Sequence, residues 1–368
     1  MRADELSGGE IAVEDPGDIE KVLRELWRSS DEGDESSSAV IRSCQGNLIA
    51  FTLEERVQTV SATLADLSRD RPSRIILIAL DNKNEDAFPR AFVGTLCHLP
   101  APGEPQVCCE MIHLRCGPRG LKHLPGLGRP LLEPDLPTAL WWDAPFRGHE
   151  ETFGPLATEA DTIIANSGTG QISLNEICSV SELLRGMCFD LAWTRTHEWR
   201  RAIARIYEDP ILRPALFCIK SVTFEAAPQG NGEIGPSPLY LAGWLAGQLG
   251  WEIVRKVERR GREVFAQARG KHGDVELYFL SSDSAISGVH IISDKPSVTE
   301  VELKLIAGGE QLEERITVAE SCPLPRSTAL ERVNPARELG YLLEKQSPDE
   351  IFQRALLKAF ALIEGEQS

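Results

Sequence analysis

Six residues within one stretch, Cys97, His98, Cys108, Cys109, His113 and Cys116, are of the types that hold zinc or carry out thiol chemistry. Zinc needs thiolate and imidazole ligands at fixed short spacings, and no C-x-x-C knuckle occurs among them. Residues 107–115 alternate as a strand, which sends Cys108 and Cys109 to opposite faces, where they cannot easily share one metal. No metal site is therefore expected. Buried thiols acting as small hydrophobes are the simpler reading, and Cys97, Cys108, Cys109 and Cys116 are the candidates for a redox role.

Other constellations fail one by one. The chain has no G-x-x-x-x-G-K-[ST] loop and no G-x-S-x-G elbow. His197 and Glu198 open like a zinc-protease helix, but Arg201 stands where the second histidine would be. Asn166, Ser167 and Gly168 follow a strand and precede a helix, the context in which backbone amides can hold an anion. With Asp81 they define an alternative reading, a sugar-phosphate or nucleotide site at the carboxyl edge of a sheet. No catalytic residue and no cofactor is expected.

The elements that position these residues read as α/β. Thr52 with Glu55 has the form of a capping box opening a helix with Leu53, Val57, Val60, Leu64 and Leu67 on one face. Ile75–Leu80 is a continuous apolar run, the mark of a strand buried on both faces. The 107–115 strand has mixed faces and suits an edge or a domain junction. Thr138–Trp142 and Asp161–Ala165 follow as strands. A mostly parallel sheet covered by helices is thus expected over 39–227. Pro228–Pro238 reads as a linker, and 239–368 as an α+β domain. That domain would hold a helix over 239–249, an antiparallel sheet of six alternating segments, and a last helix capped by Ser347 with Ile351, Ala355, Leu356, Ala359, Phe360 and Ile363 inward.

Composition narrows the class of partner. The 368 residues carry a net charge of −17, and no basic cluster interleaved with aromatics interrupts it, so nucleic acid is a poor partner. Residues 1–38 hold twelve acids against four bases and read as a flexible acidic arm, with Leu23, Leu26 and Trp27 able to form a short helix. No run is long enough for a membrane helix, and residues 1–18 lack the pattern of a secretory signal. Nine scattered cysteines argue against a secreted disulfide framework, so a cytoplasmic protein is expected.

Several segments, in order and spacing, resemble the OpcA family of glucose-6-phosphate dehydrogenase assembly proteins. These are Arg71-Pro-Ser-Arg74 before a buried strand, Cys97-His-Leu-Pro100, Val107-Cys-Cys-Glu-Met-Ile112, and Leu131-Leu-Glu-Pro-Asp-Leu-Pro137 leading to Leu140-Trp-Trp142. The resemblance implies a non-catalytic partner that binds glucose-6-phosphate dehydrogenase, promotes its oligomerisation and raises its activity in the oxidative pentose phosphate pathway. It also implies thioredoxin as a further partner. Arg71, Arg74, Trp141, Trp142 and Asp143 are the expected partner-binding positions, since one ring of an adjacent tryptophan pair at a strand end can remain at the surface.

Overall fold

The computed structural model describes residues 10–31, 40–101, 104–229, 232–260, 263–319, 321, 324–330 and 334–364. Residues 1–9 and 32–38 of the expected arm, and residue Cys322, lie outside these. Two compact units are present. The first comprises Met1–Asn166, Met187–Phe189 and Asn334–Gln346, and the second Ser167–Gly186, Asp190–Val333 and Ser347–Ser368.

The first unit is built on nine strands: β1 (Ile11–Val13), β2 (Val40–Arg42), β3 (Asn47–Leu53), β4 (Arg74–Leu80), β5 (Arg90–His98), β6 (Gln106–Cys116), β7 (Thr138–Asp143), β8 (Thr162–Ala165) and β9 (Cys188–Asp190). They run in the order β1-β5-β6-β4-β3-β7-β8-β9, with β2 alongside part of β6. From β6 through β8 the pairs are parallel, and β5 and β1 add antiparallel strands beyond β6. β3, β4 and β7 are buried along their whole length, as their apolar runs require. The helix Val57–Asp70 buries Val60, Leu64 and Leu67.

Three expectations change here. Thr52 does not cap the helix: its hydroxyl donates to the Asp143 carboxylate at 3.0 Å, and the turn Glu54–Arg56 leads into the helix without a side-chain cap. The hydroxyl is turned across to the end of β7 and makes no cap hydrogen bond to the helix. β6 is no edge strand, because β4 and β2 flank it on one side and β5 on the other. Over its described part the acidic arm is β1 and the helix Ile19–Asp31, with Ile19 and Leu23 fully buried.

The second unit carries β10 (Ile219–Ala226), β11 (Glu252–Arg260), β12 (Glu263–Gly270), β13 (Gly273–Ser281), β14 (Gly288–Ser293), β15 (Thr299–Ile306), β16 (Gln311–Val318) and β17 (Arg326–Ala329). Their order is β11-β12-β13-β10-β14-β15-β16-β17, antiparallel except where β10 lies parallel to β13. β10 thus belongs to this sheet, and the expected boundary at 228–238 falls inside the unit rather than between two domains.

The helices Pro236–Leu249 and Glu350–Glu364 bury Tyr240, Leu241, Phe352, Leu356 and Leu362 in this unit. The last helix is capped by Asp349, whose carboxylate accepts from the amides of Ile351 and Phe352. It therefore starts later than a Ser347 cap would place it. Ile351 and Ile363 are left exposed while Phe352 and Leu362 turn inward.

Backbone contact between these two helices depends on glycine. A Cβ on Gly243 would sit 2.3 Å from the Ala355 carbonyl oxygen and 2.7 Å from the Ala359 amide nitrogen. At Gly247 the nearest atom would be 3.4 Å away, an ordinary contact. Gly243→Ala should therefore destabilise the protein by about 1–3 kcal/mol, whereas Gly247→Ala should be neutral or slightly stabilising. Paired denaturant melts check this, and equal midpoints for the two variants would contradict it.

Candidate functional site

In an open doubly wound sheet, ligands bind outside the carboxyl ends of the strands where the strand order reverses. Here that point lies between β3 and β7, since β4 follows β3 in one direction and β8 follows β7 in the other. A nucleotide-binding turn after the first strand needs glycines for close backbone approach to phosphate. Residues Leu53-Glu54-Glu55-Arg56 stand there instead. Arg56 reaches across to the end of β7, its Nε 2.6 Å and Nη2 2.9 Å from the two Asp143 oxygens. Asp143 is buried, and the hydrogen bond to it raises the Arg56 pKa above the ordinary guanidinium value, against the effect of burial. The switch point is bridged by the protein's own ion pair.

One residue back along β3 and β7, on the other face of the sheet, lies an aromatic cluster. Trp142 stacks on Phe51 with centroids 4.2 Å apart and planes at 5°, and Phe146 and Phe153 close around it. Trp142 is fully buried and Trp141 is 4% exposed, so neither ring faces outward. The helix Glu150–Thr158 supplies the Phe153 cover that strand alternation alone could not foresee.

The other arginines are committed as well. At the amino end of β4, Arg74 pairs with Glu110 at 2.6 Å, with both side chains almost wholly buried. Glu110 also receives the Trp27 indole N–H at 2.6 Å and lies 3.0 Å from Arg42. Arg74 extends to Glu20 at 2.8 Å and donates to the Leu131 carbonyl at 3.0 Å. Arg71 pairs with Glu344 at 2.7 Å. Of the five expected partner-binding residues, Arg71, Arg74 and Asp143 are engaged in ion pairs within the first unit, Trp141 and Trp142 are buried in it, and only Arg71 keeps appreciable side-chain surface.

The expected anion turn has an internal anion beside it. The Ser167 amide donates to the Asp190 carboxylate at 3.0 Å and its hydroxyl donates to the same group. The Tyr240 hydroxyl and the Ala192 amide add to the same carboxylate at 2.7 and 2.9 Å. Burial raises the Asp190 pKa, and these donors work against that rise. Gly168 lies in the short turn Ser167–Thr169, and Asp81 accepts from the Lys83 amide in a tight turn.

The thiols separate into two groups. Cys97 and Cys108, directly opposed on β5 and β6, form a disulfide. The pairing depends on the β5–β6 register, which local sequence does not carry. Burial pushes Cys109 up to about 11 and Cys116 and Cys178 up to about 12. Among the described residues no group of three or more histidine, cysteine or acidic side chains could hold a metal ion. Likewise none of the described helices is long and apolar enough to cross a membrane.

Fold and site together define a protein with a doubly wound α/β unit whose switch point is bridged by its own side chains, and an α+β unit built on an eight-stranded sheet. Residues 64–182 match the profile of the glucose-6-phosphate dehydrogenase subunit N-terminal domain, and residues 187–356 that of its C-terminal domain. The chain belongs to this family, OpcA. It is 27% identical over 227 residues to the OxPP cycle protein OpcA named in Nostoc punctiforme, covering 61% of this chain and 46% of that one. Its Synechocystis namesake is 24% identical over 353 residues, covering 88% and 71%. The chain thus spans under half of the first of these relatives.

Among solved structures, the 3-ketoreductase KijD10 from Actinomadura kijaniata, in complex with TDP-benzene and NADP, aligns with a TM-score of 0.50 at 13% identity, covering 86% of this chain and 96% of that one. An oxidoreductase from Sinorhizobium meliloti aligns with a TM-score of 0.50 at 11% identity, covering 88% and 97%. These likenesses concern the fold.

Two outcomes test the assignments. Removing one partner of a buried ion pair leaves an uncompensated charge, so Arg74→Ala should cost about 3–5 kcal/mol, against about 0–1 kcal/mol for Arg71→Ala at its exposed pair. Urea titration of both variants measures the difference. Under non-reducing native conditions at pH 8, alkylation followed by mass spectrometry should leave Cys109, Cys116 and Cys178 unmodified, because roughly one thiol in a thousand or fewer is ionised there. Prior treatment with a dithiol reductant should add Cys97 to the labelled set, and rapid labelling of Cys116 without unfolding would contradict the reading.

Proposed function

We propose that the chain is a non-catalytic assembly factor and allosteric activator: it binds glucose-6-phosphate dehydrogenase and promotes its active oligomer in the oxidative pentose phosphate pathway. The family match across both units carries this reading. The replacement of the phosphate turn by Leu53-Glu54-Glu55-Arg56, with Arg56 tied to Asp143, supports a role other than dinucleotide chemistry. Thioredoxin is a proposed further partner, acting on the Cys97–Cys108 bridge.

Such an effector works only through differential affinity. If the dehydrogenase exists in two oligomeric or substrate-competent states, a protein that binds one more tightly shifts the balance by that difference, typically about 1–3 kcal/mol of coupling. Reciprocity then follows, and glucose 6-phosphate should tighten the complex if it favours the same state.

Mixing purified chain with the dehydrogenase should lower the apparent KM for glucose 6-phosphate or enlarge the oligomer seen by light scattering. Saturating substrate should strengthen co-elution by roughly 5- to 150-fold in Kd. Unchanged kinetics together with separate elution of the two proteins would refute the proposal.

A further inference from the structure

Within the first unit, β1 and the turn after it, the loop leading into β5, and the short helix Leu124–Gly128 enclose an open groove of about 930 Å³. Its floor is apolar, including Val13, Phe92 and Leu127. Phe88 forms a wall: the ring is 63% exposed yet stacks on His123 at 4.5 Å. Around the mouth stand the carboxylates of Glu14, Asp15 and Asp86. One guanidinium, Arg90, answers them, and it lies 2.8 Å from Asp86 as an ion pair rather than an aligned hydrogen bond. The mouth is therefore net negative.

Phe88 is held in place by the backbone that carries it. A Cβ on Gly117 would lie 1.8 Å from the Asn84 carbonyl oxygen, and one on Gly120 would lie 3.4 Å from the Pro89 nitrogen. The loop before β5 is thus packed closely against the segment after β6 on either side of Phe88, and His123 backs the exposed ring. Aromatic anchors dominate binding energy at protein interfaces.

We propose that this groove is a docking site for an extended segment of a protein partner, one that sets an apolar side chain against Phe88 and places arginine or lysine among Glu14, Asp15 and Asp86. Charge complementarity selects a basic segment, because with Asp86 paired to Arg90 the mouth keeps the uncompensated charges of Glu14 and of Asp15, whose Oδ1 also accepts from the Gly17 amide. The volume falls within the range of ligand-binding clefts. The groove offers the same chemistry whichever protein supplies the segment, so failure of the dehydrogenase reading would leave it untouched.

The test uses the full chain and two fluorescein-labelled hexapeptides, one alternating arginine with leucine and phenylalanine, the other with glutamate in place of arginine. The wild-type chain should bind the basic peptide saturably and the acidic one at least about tenfold more weakly. Phe88→Ala should weaken the basic peptide by about tenfold or more. So should Gly126→Phe, since a Cβ at Gly126 meets nothing within 4 Å and the added ring would occupy the groove without disturbing the fold. Glu14→Lys should weaken it as well, leaving the anchor intact. Absence of saturable binding, equal binding of both peptides, or binding that survives both Phe88→Ala and Gly126→Phe would overturn the proposal.

Discussion

A carboxylate taken out of water costs several kcal/mol unless nearly every lone pair is met, and Glu110 imposes that condition on the first unit. It sits on β6 at 4% exposure. Arg74 from β4, Arg42 from β2 and the Trp27 indole from the helix Ile19–Asp31 satisfy it. Arg74 has donors to spare and takes Glu20 and the Leu131 carbonyl, so one buried charge places segments as far apart in sequence as Glu20 and Leu131. One acidic residue of the amino-terminal region answers to the same constraint. Glu20 supplies countercharge to an arginine that the sheet has already buried.

The carboxyl edge of the sheet repeats the arrangement with fewer parts. Asp143 ends β7 in a buried position and draws both Arg56 and Thr52 to it. The Thr52 hydroxyl is thereby directed to β7, and the helix after β3 goes without a side-chain cap. On the opposite face Trp142 packs against Phe51, Phe146 and Phe153 instead of surfacing.

What could be read from the chain follows the range of the interaction. β3 and β4 announce themselves through unbroken apolar runs, and the strands of the second sheet through alternation, since both signals are local. β10 could not be assigned by such signals. It pairs with β13 and β14, far along the chain, so a proline- and glycine-rich stretch after it looked like a domain boundary. The Arg56–Asp143 contact spans 87 residues and the Trp27–Glu110 contact 83, and neither leaves a mark on sequence periodicity. Cys97 and Cys108 were legible as reactive residue types, while their pairing required the β5–β6 register. In the acidic arm the short helix was legible from Leu23, Leu26 and Trp27, while its anchoring through the Trp27–Glu110 and Glu20–Arg74 contacts was not.

Architecture alone does not decide what such a protein does, for one doubly wound sheet can serve many chemistries. The decisive place is the turn after β3. A helix amino terminus attracts an anion through its free amides, and phosphate sites exploit this by leaving the turn bare of side chains. Here Glu54 and Glu55 put two carboxylates in that first turn, and Arg56 turns away to Asp143. A phosphate arriving there would meet like charge and no glycine gap. The edge that anchors dinucleotides in other doubly wound sheets is here closed by the chain's own Arg56–Asp143 pair and fronted by two carboxylates.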